Sequence, residues 1–401
     1  MTPPLPSKRR VLVMAACVAG FSTAAGMMFL PAMPQMATSL GTPIQAIQLA
    51  FTTYLVGNAI GQLTMGTLSD YFGRRRVVLA GMAILVVASI VIALTPNIEV
   101  LLVARVFQAV GVSATLTVAR AVVRDVFERE EAAKAMSLMV LAYSMGPILG
   151  PTAGGYLAVY LGWRAIFAFT AVSVGLTLVW AWFSFPESNK HQRTAANPFA
   201  GAMTDYRALA THKGFLAYAG TSTMVFIVSY VFAMVSPVLL IENLGVHAEH
   251  YGPLLLVATV GFMCGTVISN RMTVRRGIEV MVWAGACFSF LGTLWFFAAT
   301  LADAVTVAAI VAAYFIILLG EGLAAPNLAA GAVSAIRNKA GAAAGLMGFM
   351  QITGTIVATL LVVVLAPRDD ATFRWLLLAV GAAVPLSWFA VRRLARPANN
   401  A

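Results

Sequence analysis

Stretches of about twenty apolar residues follow one another along almost the whole chain, parted by short polar or charged connectors. A helix that crosses a bilayer needs roughly 20 predominantly apolar residues. With 60% of the 401 residues hydrophobic and only 10% charged, no polar shell could cover so much apolar surface, so the surrounding medium has to be lipid. Twelve crossings fit the pattern, near 11–33, 46–68, 77–95, 100–123, 136–160, 164–185, 215–241, 253–271, 280–301, 305–335, 342–366 and 375–391.

The net charge of +11 does not form one patch. Counting connectors from a cytoplasmic amino terminus, all the basic residues but Arg105, Arg120, Arg164, Arg368 and Arg374 gather on one side. Positive charge collects on the cytoplasmic side of membrane proteins, so both termini are expected there, in a bacterial-type inner (plasma) membrane. A basic surface for nucleic acid is not expected. Lys8-Arg9-Arg10 precedes an apolar run reaching at least Leu30, too long for an ordinary signal-peptide core, which favours an uncleaved first helix. Cys17, Cys264 and Cys287 lie inside apolar segments and read as packing residues. His191, His212, His247 and His250 lie in connectors, and only the last two are close. No metal or cofactor is expected, since the spans hold no metal cluster, phosphate loop or Ser/His/Asp set.

The longest polar connector, Pro186 to Gly214, divides the crossings six and six. It implies an amino-terminal bundle (1–188), a cytoplasmic linker (189–213) and a carboxy-terminal bundle (214–401). Residues 198–213 read either as a helix on the membrane surface or as a flexible linker. Gly57, Gly61, Gly73 and Gly81 recur as Gly261, Gly265, Gly277 and Gly285 at a constant offset, the mark of a duplication. Two pseudo-symmetric six-helix bundles with a midplane cavity form the architecture of alternating-access transport.

Three motifs sharpen this reading. Between the second and third spans stands Gly66-Thr-Leu-Ser-Asp70-Tyr-Phe-Gly73-Arg74-Arg75-Arg76, where glycines permit a tight turn and Asp70 can meet a helix amino terminus or a nearby arginine. The fourth span opens with Arg105-Val-Phe-Gln108-Ala-Val-Gly111. The fifth carries Gly146-Pro147-Ile-Leu-Gly150-Pro151-Thr-Ala-Gly154-Gly155, one small-residue face suited to close helix approach. With Phe29-Leu30-Pro31-Ala-Met-Pro34 and Arg120-Ala-Val-Val-Arg124-Asp125, these segments resemble the bicyclomycin and chloramphenicol resistance branch of the drug:proton antiporters in the major facilitator superfamily. The resemblance is continuous over residues 10–190.

It implies an all-α membrane protein of twelve transmembrane helices in the major facilitator fold. It implies a conformational latch at Gly66, Asp70, Gly73 and Arg74, and an antiporter motif at Gly146, Pro147, Gly150, Pro151, Gly154 and Gly155. Gly57-xxx-Gly61 and Gly261-xxx-Gly265 are expected to supply partner faces for that motif in the opposite half. Arg105 either snorkels to the interface or is a fixed positive charge that tunes proton release from a carboxylate. The branch usually carries an acid just before the segment matching Met28-Phe29-Leu30-Pro31, and here that position is Met27.

Among the acids, Glu321 alone falls deep in a span. An intramembrane carboxyl is a functional site by default, the alternative being a protonated structural side chain. Gly320 and Gly322 would leave room beside it, and Pro326 with Asn327 would mark an irregular turn. Proton coupling is therefore expected at Glu321 with Arg105. Substrate contacts are expected at Met27, Met28, Phe226, Tyr230, Met234, Glu321 and Asn327. The stripe Phe226, Tyr230, Met234 reads equally as helix packing, while methionines and aromatics suit broad recognition. The expected partners are a small-molecule substrate, protons and the bilayer, with the chain acting as a monomer. Proton-coupled efflux of amphipathic drugs is the favoured function. A dedicated carrier for one metabolite (nucleoside, amino acid or siderophore), an uncoupled facilitator and a non-transporting receptor are the rivals.

Overall fold

The computed structural model describes residues 8–127, 129–189, 200–334, 340–365 and 370–395. Glu128, Lys190, His191, Arg193, Pro198, Arg337, Lys339, Arg368, Asp369 and Arg396 lie outside them.

The first crossing is not one helix, as the run 11–33 suggested. α1 (Lys8–Ala24) ends in a turn over 25–29, a single 3-10 turn follows at Leu30–Ala32, and α2 (Met33–Leu40) resumes. Pro31 and Pro34 explain the break, because each lacks the N–H that a continuous helix would donate to the carbonyl four residues earlier. Tighter bonds replace some of those lost: Leu30 N–H donates to the Met27 carbonyl at 3.2 Å, and Ala32 N–H to that of Phe29 at 3.0 Å.

Eleven further long helices follow among the described residues: α3 (Ile44–Phe72), α4 (Arg74–Leu94), α5 (Ile98–Val126), α6 (Arg129–Leu161) and α7 (Trp163–Ser184), then, beyond the short α8 (Ala200–Ala210), α9 (Lys213–Pro237), α10 (Ala248–Arg276), α11 (Ile278–Leu301), α12 (Val307–Ser334), α13 (Ala340–Leu365) and α14 (Asp370–Ala395). With α1 and α2 as one broken crossing, they correspond to the twelve expected spans. The helical stretch of the central connector is α8. Helices turn back sharply at Gly73 and Gly277, whose φ angles of 97° and 85° lie where a side chain is strained.

Polarity is distributed inside out. Ser89, Arg105, Gln108, Thr115 and Thr293 are buried, whereas Val87, Val103, Phe183 and Trp295 stand exposed on helix surfaces, the arrangement for a protein solvated by lipid. Cys264 is exposed on α10, so the packing role expected for the cysteines does not hold there.

The chain forms two compact units, Met1–Phe199 with His247–Gly252, and Ala200–Val246 with Pro253–Ala401. The repeated glycines perform the same task in each. A methyl group at Gly57 would lie 2.1 Å from the Val106 carbonyl oxygen of α5, and one at Gly261 would lie 2.4 Å from the Phe315 carbonyl of α12. Likewise Gly81 fits against Ala114 and Gly111, as Gly285 fits against Ala324 and Gly320. Gly57, Gly61, Gly261 and Gly265 thus pack inside their own units, which corrects the expectation that they face the antiporter motif of the opposite half.

Gly57→Ala is expected to destabilise the protein by about 1–3 kcal/mol through overpacking. Gly220→Ala, where a methyl group meets only open space, should be neutral or slightly stabilising. Thermal unfolding of the purified variants in detergent measures both.

Candidate functional site

Arg105 enters the interior from α5 and is fully buried, so it does not snorkel. A lone arginine at the centre of a membrane helix costs at least ~2.5–3.5 kcal/mol on insertion scales. The break in the first crossing offsets this by presenting carbonyls that no longer serve a continuous helix. Arg105 donates to the carbonyls of Ala25 (3.2 Å), Gly26 (3.5 Å) and Ala50 (3.3 Å), and to the side-chain oxygen of Gln108. Gln108 in turn donates to the Ser89 hydroxyl at 2.9 Å. The guanidinium lies 4.2 Å from the Phe29 ring centroid and 4.4 Å from that of Tyr54, where the aromatic quadrupoles favour a cation. Gly26 is required, since a methyl group there would come within 2.8 Å of the Tyr54 hydroxyl. Met27, at the position usually held by an acid, is half-buried in this break, and Met28 is buried.

The antiporter glycines close over the same break. Methyl groups at Gly146, Gly150 and Gly154 would meet Thr23 and Ala24, Met28, and the Met28 backbone respectively, the last at 1.8 Å. Gly155 meets the Ala248 backbone, in a segment of the same unit. Pro147 and Pro151 both lie within α6. Met28 is therefore covered by α6 on this side.

At the α3–α4 turn, where a latch is expected, Asp70 and Arg74 form an ion pair at 2.5 Å, and Arg74 also pairs with Asp125 at 3.2 Å. Ser69 and Ser188 complete the knot, accepting from Arg74 and donating to Asp125. The Glu187 carboxylate accepts from the backbone N–H groups of Arg74 (2.9 Å) and Arg75 (3.1 Å). It thereby occupies the positive amino terminus of α4, which Gly73 delivers through its positive φ; Gly66 lies beside Thr117.

The second unit carries Glu321. Gly320 and Gly322 do not leave room beside it. Methyl groups there would lie 2.5 Å from the Gly285 carbonyl oxygen and 2.2 Å from that of Phe262, so both glycines serve close packing of α12 on α11 and α10. Between them Glu321 is half-buried on α12, with the Ser229 hydroxyl of α9 as a polar neighbour of its carboxyl. On α9, Phe226 and Tyr230 stack with centroids 4.3 Å apart and are half-buried, whereas Met234 is fully buried. Pro326 does not interrupt α12. Asn327, 3% exposed, donates to the Ser269 hydroxyl (2.7 Å) and the Leu323 carbonyl (3.0 Å) and accepts from Thr273 at 3.0 Å. These bonds use it to tie α12 to α10.

His247 and His250 have ring centroids 6.2 Å apart, and no group of three metal-ligating residues occurs among the described residues. The partners missed in the sequence are Gln108, Tyr54, Glu187, Ser188 and Ser229. Gln108 was visible as the residue one turn from Arg105. Glu187 had no local signal, because the N–H groups it caps lie more than a hundred residues earlier.

The Major Facilitator Superfamily model matches residues 15–359. The chain belongs to that superfamily. It is 36% identical over 279 residues to a chloramphenicol resistance protein of Pseudomonas aeruginosa, a match covering 67% of this chain and 65% of that one. It is 24% identical to a bicyclomycin resistance protein homolog of Haemophilus influenzae (90% and 89% covered), and 26% identical to multidrug resistance protein D of Escherichia coli (94% of each). A crystal structure of a peptide transporter superposes with a TM-score of 0.79 at 12% identity, covering 97% of this chain and 94% of that one, a likeness of fold. Superfamily membership makes the chain a multi-pass membrane transporter rather than an enzyme, and two of these relatives carry the chloramphenicol and bicyclomycin resistance names of the branch that residues 10–190 resemble.

Arg105→Lys keeps the charge but loses the planar fork that reaches carbonyls on separate elements. Acceptors left unfilled in the interior cost about 1–3 kcal/mol each. A clear fall in melting temperature and in yield of folded protein is expected, measured by thermal unfolding and size-exclusion chromatography.

Proposed function

We propose that this superfamily member is a proton-coupled exporter of small amphipathic drugs, working by alternating access as a monomer in a bacterial inner membrane with both termini cytoplasmic. The observation that carries the reading is Glu321, a half-buried carboxyl within α12 that neighbours the Ser229 hydroxyl of α9. Phe226 and Tyr230, on the same helix as Ser229, form a half-buried stack, and the position in the first crossing where the branch has an acid is Met27. The relatives' names, chloramphenicol resistance and multidrug resistance, support the substrate class.

Glu321 takes a proton from the outer side and releases it toward the cytoplasm, its neutral form being compatible with apolar surroundings. Each unit of pH gradient supplies ~1.4 kcal/mol per proton, and inward movement of the charge adds ~2.3 kcal/mol per 100 mV when the substrate is neutral. Phe226 and Tyr230 offer aromatic faces to varied apolar bodies. Arg105 acts by holding the shape of the first crossing around Met27 and Met28. The Asp70–Arg74–Asp125 knot with Glu187 holds the α3–α4 turn as the latch.

In energised vesicles, Glu321→Gln is expected to abolish export driven by a proton gradient while substrate still equilibrates down its own gradient, and Glu321→Asp should keep partial coupling. Coupled export undiminished in Glu321→Gln would remove Glu321 from the mechanism.

A further inference from the structure

Ser222, Phe226 and Ser229 share one face of α9 by their spacing, over roughly 10 Å of helix. Other helices of the second unit meet the two ends of that face. Gln351 of α13 donates from Nε2 to the Ser222 hydroxyl at 2.7 Å, and Ser229 neighbours the Glu321 carboxyl of α12. The Phe226–Tyr230 stack lies between. On α13, Met347, Thr355 and Val362 share the face of Gln351 and are buried, whereas Val357 and Val364 on the opposite face are exposed. Gln351 is only half-buried, so the opening beside it faces away from lipid. A side-chain amide has two N–H donors and an acceptor oxygen. Gln351 spends one donor on Ser222, and its Oε1 meets no donor among the described residues. The bond to Ser222 thus fixes an unused acceptor and an unused donor at the position one turn before Phe226.

We propose that Gln351 determines specificity for neutral aromatic amides, its Oε1 accepting the N–H of the ligand's amide while the ligand's ring packs on the Phe226–Tyr230 stack. This rests on the drug-export reading and names the substrate class within it. A ligand of the same shape without the N–H leaves Oε1 desolvated and unpaired, which costs more than the bond itself contributes. A quaternary cation has no N–H to offer.

The test is a cycle between ligand and protein, read by calorimetric titration of the purified full-length protein in detergent. The probes are chloramphenicol, a neutral nitrophenyl amide, and its analogue with an ester in place of the amide. In the wild type, loss of the ligand N–H is expected to weaken binding roughly fivefold, the scale of one hydrogen bond. In Gln351→Met, chloramphenicol should bind roughly tenfold more weakly than to the wild type, and the amide and ester should differ by less than about twofold. Ser222→Ala, which releases the amide of Gln351 without removing it, should shrink the amide–ester difference to about twofold, and it supplies the comparison if Gln351→Met does not fold or bind. Equal affinity of the wild type for the two probes, or an amide–ester difference that survives in the variants, would overturn the proposal and leave the drug-export reading standing. A uniform loss for both probes in Gln351→Met, with their ratio kept, would assign Gln351 to packing alone and overturn it too. Binding of neither probe by the wild type would remove the proposal together with the reading that such compounds are exported.

Discussion

A backbone carbonyl released from a helix inside a bilayer has to find a donor within the protein, because lipid offers none. The first crossing releases such groups at the turn over 25–29, and Arg105 meets two of them. Neither feature is tolerable alone: the break would leave carbonyls unsatisfied, and the arginine would be a desolvated charge. Together they fix each other, and much of the first unit is arranged around them. Gly26 is bare so that Tyr54 can lie over the guanidinium, Gln108 and Ser89 orient it, and the glycines of α6 seal the far side at Met28.

The same economy of close approach runs through the repeat. At Gly57 and Gly261, and again at Gly81 and Gly285, a carbonyl or a small side chain of a partner helix fills the space that a side chain would take. Helices that cannot gain stability by leaving water have to gain it by packing, and small residues stand at corresponding points of close approach in both units. That is why the correspondence of the two halves is legible in the glycines alone, and why their partners are not. Nothing in Gly57-xxx-Gly61 states that the facing helix is α5 of the same unit.

Legibility followed the range of the interaction. The crossings, the central division and the turns at Gly73 and Gly277 are encoded locally in hydropathy and backbone freedom. The break at Pro31 and Pro34 was equally local, but a hydropathy window runs straight through it. Arg105 and Glu321 stood out because a charge in a span is costly, yet their surroundings are tertiary. Gly320 and Gly322 read as space in the sequence and are contact surfaces in the fold, and Asn327, an expected substrate contact, ties two helices together through Ser269 and Thr273. Glu187 shows the limit most clearly: a carboxylate at the end of the sixth crossing completes a helix terminus at the start of the third.

The proposed exchange of protons for amphipathic drugs is open to direct measurement. Purified protein in liposomes with an imposed pH gradient and an internal pH-sensitive dye should dissipate the gradient faster when chloramphenicol or another member of a panel of phenicols, sulfonamides and cationic dyes is added. Protein-free liposomes set the passive rate. Substrate-stimulated proton movement above that rate is the predicted result. Uptake of a panel compound without accompanying proton movement, or no response to any compound, would contradict it.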